Sequence, residues 1–180
     1  MSKRIALFRG INVGGKRKIL MADLKALFHE LNYIDAATYI QSGNVVFSTD
    51  SADKNSEIEN RIEEAVAKRY GFDVPIIVKT EKELYQAIDS NPFTHEAAVE
   101  RLHLSFLQEP PSDENLAQIA TYDFAPDAFQ VQESNVFVYC SGKYSDSKLT
   151  NNFFESKLKK RATTRNWKTV LKLVELLKTT

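Results

Sequence analysis

Apolar residues recur along the chain with two alternating periods, and these predict its elements. Ile5, Ala6, Leu7 and Phe8 form a short apolar run between cations, the signature of a buried strand. Met21, Leu24, Leu27, Phe28 and Leu31 fall three or four apart, which places them on one face of a helix that Asn32 ends. Residues 37–41 and 44–48 are rich in β-formers, and Ser42-Gly43 between them predicts a tight hairpin turn. Ser56 with Glu59 three residues on has the form of a capping box, and Ile58, Ile62, Ala65, Val66 and Tyr70 give the following helix one apolar face up to Gly71. Residues 74–78 form a short strand whose Pro75 favours a sheet edge.

The order β-α-β-β-α-β over residues 4–79 is that of a ferredoxin-like plait. A second pass follows: a helix capped by Thr80, a strand at 102–107, a helix at 112–121, paired strands at 129–132 and 135–140, and a helix near 149–158. Gln41-Ser-Gly-Asn-Val-Val-Phe47 is echoed by Gln132-Glu-Ser-Asn-Val-Phe-Val138, which points to an internal duplication. A last helix opens at Thr163, with Thr164 or Asn166 as cap and Trp167, Val170, Leu171, Val174 and Leu177 on one stripe. The expected architecture is α+β: two ferredoxin-like (βαββαβ plait) halves, the second incomplete, plus a C-terminal helix. The expected division is 1–91 and 92–180, with the boundary near Asn91-Pro92.

Composition narrows the class. At 180 residues, 43% apolar and 27% charged, the chain is an ordinary globular protein. No apolar run is long enough for a membrane helix or a signal peptide, so the expected location is cytoplasmic, with no membrane partner. One cysteine, Cys140, excludes a disulfide framework and multi-cysteine zinc sites, and His29, His95 and His103 lack metal-ligand spacing. No metal is expected, and no cofactor can be named. The net charge of zero hides a segregation: residues 1–18 carry +6, residues 143–178 carry +7 and the middle carries −13. Two basic ends that meet would attract a phosphate or a nucleic acid; the plain alternative is that both pair with the acidic middle.

The candidate chemistry lies in residues 9–18, where Gly10, Gly14 and Gly15 free the backbone and Lys16, Arg17 and Lys18 follow. In a plait this loop leaves the sheet at the same end as the Gln41–Asn44 turn. Arg9, Gly10, Asn12, Gly14, Gly15, Lys16, Gln41, Ser42 and Asn44 are therefore the expected ligand-binding set. Thr164, Arg165 and Asn166 join it if the last helix points its N-terminus there. The plain alternative is that the glycines only permit tight packing. Gly10 to Lys16 matches G-x-x-x-x-G-K, but Arg17 stands where a P-loop needs Ser or Thr for Mg²⁺. No carboxylate pair stands out as general acid and base, and Ser42-Gly43 is not a hydrolase elbow.

Four stretches, Ala6-Leu-Phe-Arg-Gly-Ile-Asn-Val-Gly-Gly15, Met21-Ala-Asp-Leu24, Tyr39-Ile-Gln-Ser-Gly-Asn-Val-Val-Phe47 and Ala162-Thr-Thr-Arg-Asn-Trp-Lys-Thr-Val170, carry a resemblance. The chain resembles the bacterial family catalogued as domain of unknown function sixteen ninety-seven. That resemblance implies a pair of plait-like subdomains and no established activity. Lys159-Lys160-Arg161 departs from the more apolar, glycine-containing turn expected there. Three functional classes remain open: a binder of a phosphate-bearing small molecule or a nucleic acid, an enzyme acting on such a ligand with Arg9, Lys16 and Arg165 stabilising charge, or an interaction module with a structural loop.

Overall fold

The computed structural model describes every residue except Glu96. The chain forms two compact units, one of Met1–Gln86 with Lys172–Thr180, the other of Ala87–Leu171. The first unit runs β1 (Ser2–Phe8), α1 (Met21–Glu30), β2 (Ile34–Tyr39), β3 (Asn44–Thr49), α2 (Asn55–Tyr70) and β4 (Ile76–Thr80). Its sheet has the order β2-β3-β1-β4 with every neighbouring pair antiparallel, as expected for a ferredoxin-like plait. Alternate residues of the sheet, among them Ala6, Phe8, Val45 and Phe47, pack against Leu24, Leu27 and Phe28 of α1 and Ile58, Ile62 and Val66 of α2. Phe28 is the aromatic hub, with ring centroids 5.2 Å from Phe47, 5.7 Å from Tyr33 and 6.3 Å from Phe8.

Two boundaries move. Helix α2 starts at Asn55 rather than after Ser56, because Glu57, not Glu59, reaches back: its Oε2 accepts from the Lys54 N–H at 2.7 Å. Glu59 is instead buried, and its Oε1 accepts from the Val78 N–H at 2.8 Å, while Glu63 Oε1 accepts from the Ile76 N–H at 2.9 Å. These are outward-facing amides of β4, the strand that pairs with β1 alone, so α2 closes that sheet edge. The expected cap of the next helix, α3 (Glu81–Asp89), is present: the Thr80 N–H donates to Glu83 Oε2 at 2.7 Å and the Glu83 N–H to Thr80 Oγ1 at 3.0 Å.

The second unit runs β5 (Leu102–Leu107), α4 (Asp113–Ile119), β6 (Ala128–Gln132), β7 (Asn135–Tyr139), α5 (Asn151–Leu158) and β8 (Ala162–Asn166), with sheet order β6-β7-β5-β8. This repeats the first arrangement strand for strand, so the plait expected to be incomplete has its fourth strand. Thr163, Thr164 and Arg165 lie in β8, paired with Phe106, Ser105 and Leu104, and do not open a helix. Helix α6 (Trp167–Thr179) starts one residue past β8, and of the two expected caps it is Asn166 that serves, its Oδ1 accepting from the Thr169 N–H at 2.8 Å. On its stripe Leu171 is exposed and Leu173 is buried instead.

The start of β6 is tied down by Asp127, whose Oδ1 accepts from Ser141 N–H and Oγ at 2.9 and 2.7 Å and whose Oδ2 accepts from Ser147 Oγ at 2.7 Å. Burial alone would raise this carboxyl, and the hydrogen bonds from Ser147 and Ser141 outweigh it, so its pKa lies below the ordinary aspartate value. A depressed carboxyl stabilises the fold fully above its unfolded pKa, about 3.9, and that contribution is lost as pH falls through the folded value. Asp127→Ala should therefore cost about 2 kcal/mol at neutral pH. Urea midpoints of the two proteins should converge as pH drops below about 4; a constant gap across that range would refute the assignment.

Candidate functional site

Residues 12–17 form a small hairpin at the end of β1. The Asn12 N–H donates to the Arg17 carbonyl at 3.1 Å and the Lys16 N–H to the Val13 carbonyl at 3.0 Å, with Val13 and Lys16 bridged as an antiparallel pair. Gly14 and Gly15 are its two central residues, at φ of 58° and 73°. Positive φ at both is the requirement of a type I′ turn, which is why both are glycine. An added Cβ at either would meet nothing within 4 Å, so these glycines serve the turn and not a close approach.

Asn12 fastens the hairpin. Its Nδ2 donates to the Ile19 and Gln41 carbonyls at 2.9 and 2.8 Å, and its Oδ1 accepts from the Ile19 N–H at 2.9 Å. The Phe8 N–H donates to the Gly43 carbonyl and the Arg9 N–H to the Pro75 carbonyl, both at 2.9 Å. The loop and the turn expected at one end of the sheet thus meet there, with Pro75, just before β4, beside them. Asn44 is buried and donates through Nδ2 to the Tyr39 carbonyl and Ser42 Oγ, which shapes the turn at 40–43. Gly43 carries the close approach: at φ 80°, a Cβ would lie 2.6 Å from both Ile11 Cδ1 and Phe8 Cβ.

Of the expected set, the structure brings Arg9, Gly10, Asn12, Gly14, Gly15, Lys16, Gln41, Ser42 and Asn44 to this end of the first unit. Asn12, Ser42 and Asn44 spend polar groups on the fold itself, while Gly10, Gly14, Gly15, Lys16 and Gln41 are exposed and Arg9 is half-buried. Thr164, Arg165 and Asn166 belong to the second unit and are engaged within it. Thr164 Oγ1 lies 2.7 Å from Asn151 Oδ1 and 3.1 Å from Ser105 Oγ. Arg165 is buried, donates to Thr163 Oγ1 and the Thr164 carbonyl, and is pushed down to about 10 by burial. The helix N-terminus expected from Thr163 and Thr164 is replaced by a strand, with Asn166 Oδ1 occupied as a cap.

The hairpin has two features beyond the expected set. Arg17 and Lys18 stand exposed beside Lys16, and none of the three forms an ion pair with a described residue. Val13, Leu20 and Ile40 are exposed apolar residues in the same segments, at 64%, 70% and 46%. The Lys-Arg-Lys run was readable; the exposure of the apolar residues was not, because each sits in a pattern that also suits a core. A depression of about 350 Å³ lies against the hairpin, lined by Asn12, Gly15, Lys18, Ile19, Met21 and Gln41 among others. No group of His, Cys, Asp and Glu among the described residues can hold a metal ion, and no helix is long and apolar enough to cross a membrane.

Fold and motifs together define an α+β protein of two plaits with a basic hairpin on the first. Residues 1–137 match the family described as "Protein of unknown function (DUF1697)", and the chain belongs to that family. Its fold is shared with the conserved bacterial protein SP0830 from Streptococcus pneumoniae, at 23% identity and a TM-score of 0.79 over 98% of each chain. No curated protein matches the chain.

The contrast between the glycines is testable. Gly43→Ala should lower stability by about 2–4 kcal/mol, since backbone strain adds to a clash with core atoms. Gly14→Ala should cost only about 1 kcal/mol, the strain of positive φ alone. Equal urea midpoints for the two variants would show that the space around Gly43 is not what requires glycine.

Proposed function

We propose that the hairpin binds a polyanion, a single-stranded nucleic acid in the first instance. The observation that supports this reading is the run Lys16, Arg17 and Lys18, exposed and with no ion pair among the described residues, on a hairpin whose base Asn12 fixes. Three adjacent cations on a held support contact neighbouring phosphates without first losing chain entropy, and each contact releases counterions. Exposed Val13, Leu20 and Ile40 offer apolar surface to bases beside the phosphate track. A single phosphate in a backbone cradle is the weaker reading. Gly14 and Gly15 are both left-handed and close a turn, whereas an anion nest alternates right- and left-handed residues so that successive amides converge.

Anisotropy of a labelled single-stranded RNA, titrated between about 50 and 200 mM salt, tests this. Binding should weaken steeply with salt. The variant with Lys16, Arg17 and Lys18 all changed to Ala should reduce the slope of log K against log salt by about 2, three phosphate contacts at about 0.7 each. Wild-type protein that fails to bind at the low-salt end, or a variant with an unchanged slope, would remove the proposal.

A further inference from the structure

The two sheets have four edge strands, and three of them carry an identifiable protection. In β4 the outward amides of Ile76 and Val78 are taken by Glu63 and Glu59. In β8 the Ala162 N–H donates to Glu155 Oε1 of α5 at 2.9 Å. In β2 the register shifts between Ile34 and Ala37, with Asp35 at φ 54°, a bulge that spoils the edge as a template. The fourth, β6, has none of these. It pairs with β7 in unbroken register over five residues, and among the described residues no hydrogen bond beyond that ladder reaches its backbone.

A groove runs along this open edge. It has a volume of about 540 Å³, with Leu116, Ile119 and Ala120 on one wall and four successive residues of β6, 128–131, on the other. Successive residues of a strand point to opposite faces of a sheet, so a groove that touches four in a row lies along the strand's side. Phe124 and Phe129, with ring centroids 6.4 Å apart, add aromatic surface, and exposed Asp123 lines the groove with no ion pair among the described residues. An unpaired strand edge beside an apolar groove walled by a helix is the arrangement that accepts an extended peptide as an added strand.

Charge selects the occupant. From Gln108 to Gly142 the chain has six acids, Glu109, Asp113, Glu114, Asp123, Asp127 and Glu133, and no Lys, Arg or His; Lys160 pairs with Glu109, and Lys157 of α5 brings a cation to the groove's lining, its Nζ 4.9 Å from the Tyr122 ring centroid, which leaves acids in excess. A second copy pairing β6 against β6 would bring two such stretches together and repel. A basic peptide is attracted. We propose that the groove between α4 and the edge of β6 binds an extended basic peptide, its alternate apolar side chains seated in the groove and its backbone paired with β6.

The test uses the full chain and a capped, labelled peptide of alternating valine and lysine about as long as β6. Saturable binding is expected, weakened about tenfold or more when the amides that would pair with β6 are N-methylated, since about one hydrogen bond's worth of free energy is a factor of ten. Ala120→Trp, at an exposed groove position, should block binding, and Asp123→Lys should weaken it several-fold while circular dichroism stays unchanged. Changing Lys16, Arg17 and Lys18 to Ala should leave peptide binding intact, which separates this groove from the hairpin. The proposal is overturned by absent saturation, by equal binding of the glutamate analogue, or by indifference to N-methylation or to Ala120→Trp. It is also overturned by a self-association that Ala120→Trp abolishes, because the occupant is then a second copy.

Discussion

A glutamate on the second helix of each plait, accepting a hydrogen bond from the outer side of the fourth strand, is the contact that lets both sheets end where they do. In the order 2-3-1-4 the fourth strand has a neighbour on one side only, and the helix that packs beside it removes its other side from water. A buried amide without a partner costs about 1–3 kcal/mol, so the helix must bring an acceptor with it. Glu63 meets Ile76, the first residue of β4, and Glu155 meets Ala162, the first residue of β8. Glu59 adds a second bond one pleat further along β4. The same device stands at the same place in both halves, a likeness between them closer than the short sequence echo.

That device also shapes the charge balance inside the first unit. Lys79 of β4 is 2% exposed, with its Nζ 3.7 Å from Glu83 Oε1. Burial pushes its ammonium down, and the charges of Glu83 and Glu59 oppose that. Glu59 therefore serves an amide and a buried cation together. A sequence reading sees only Ser56 and Glu59 at capping-box spacing and assigns the carboxylate to the helix start, which is where that reading went astray.

Most of the fold was legible because α1 and α2 each bury one apolar face, while β1 and β3 carry continuous apolar runs buried on both faces. Strand β8 was not. Ala162, Thr163 and Arg165 are buried while Thr164 is half-buried, so the segment shows no alternation, and Thr-Thr-Arg-Asn resembles a helix cap cluster. Only pairing with β5, fifty-odd residues away, makes it a strand. At the hairpin the glycines, the cations and the meeting with Gln41 were all readable from topology. What a sequence cannot distinguish is whether neighbouring glycines are both left-handed or alternate with right-handed residues. That choice separates a turn from an anion cradle.

The neutral total charge resolves into local arrangements rather than a cancelling average. Of the ten cations between residues 143 and 178, four are engaged in this way: Lys160 pairs with Glu109, Lys168 with Glu100, Lys172 with Glu175, and Arg165 is buried against Thr163 and Thr164. Such exposed pairs add only about 0–1 kcal/mol each to stability, so their effect lies less in holding the fold than in lowering the local field. Among the described residues Lys16, Arg17 and Lys18 form no such pair, while the stretch from 108 to 142, which has acids and no cations, keeps most of its carboxylates exposed. With a screening length of about 8 Å at physiological salt, unbalanced charge acts only locally. Each surface therefore presents its own sign to whatever approaches it, and the zero sum over the chain has no bearing on either.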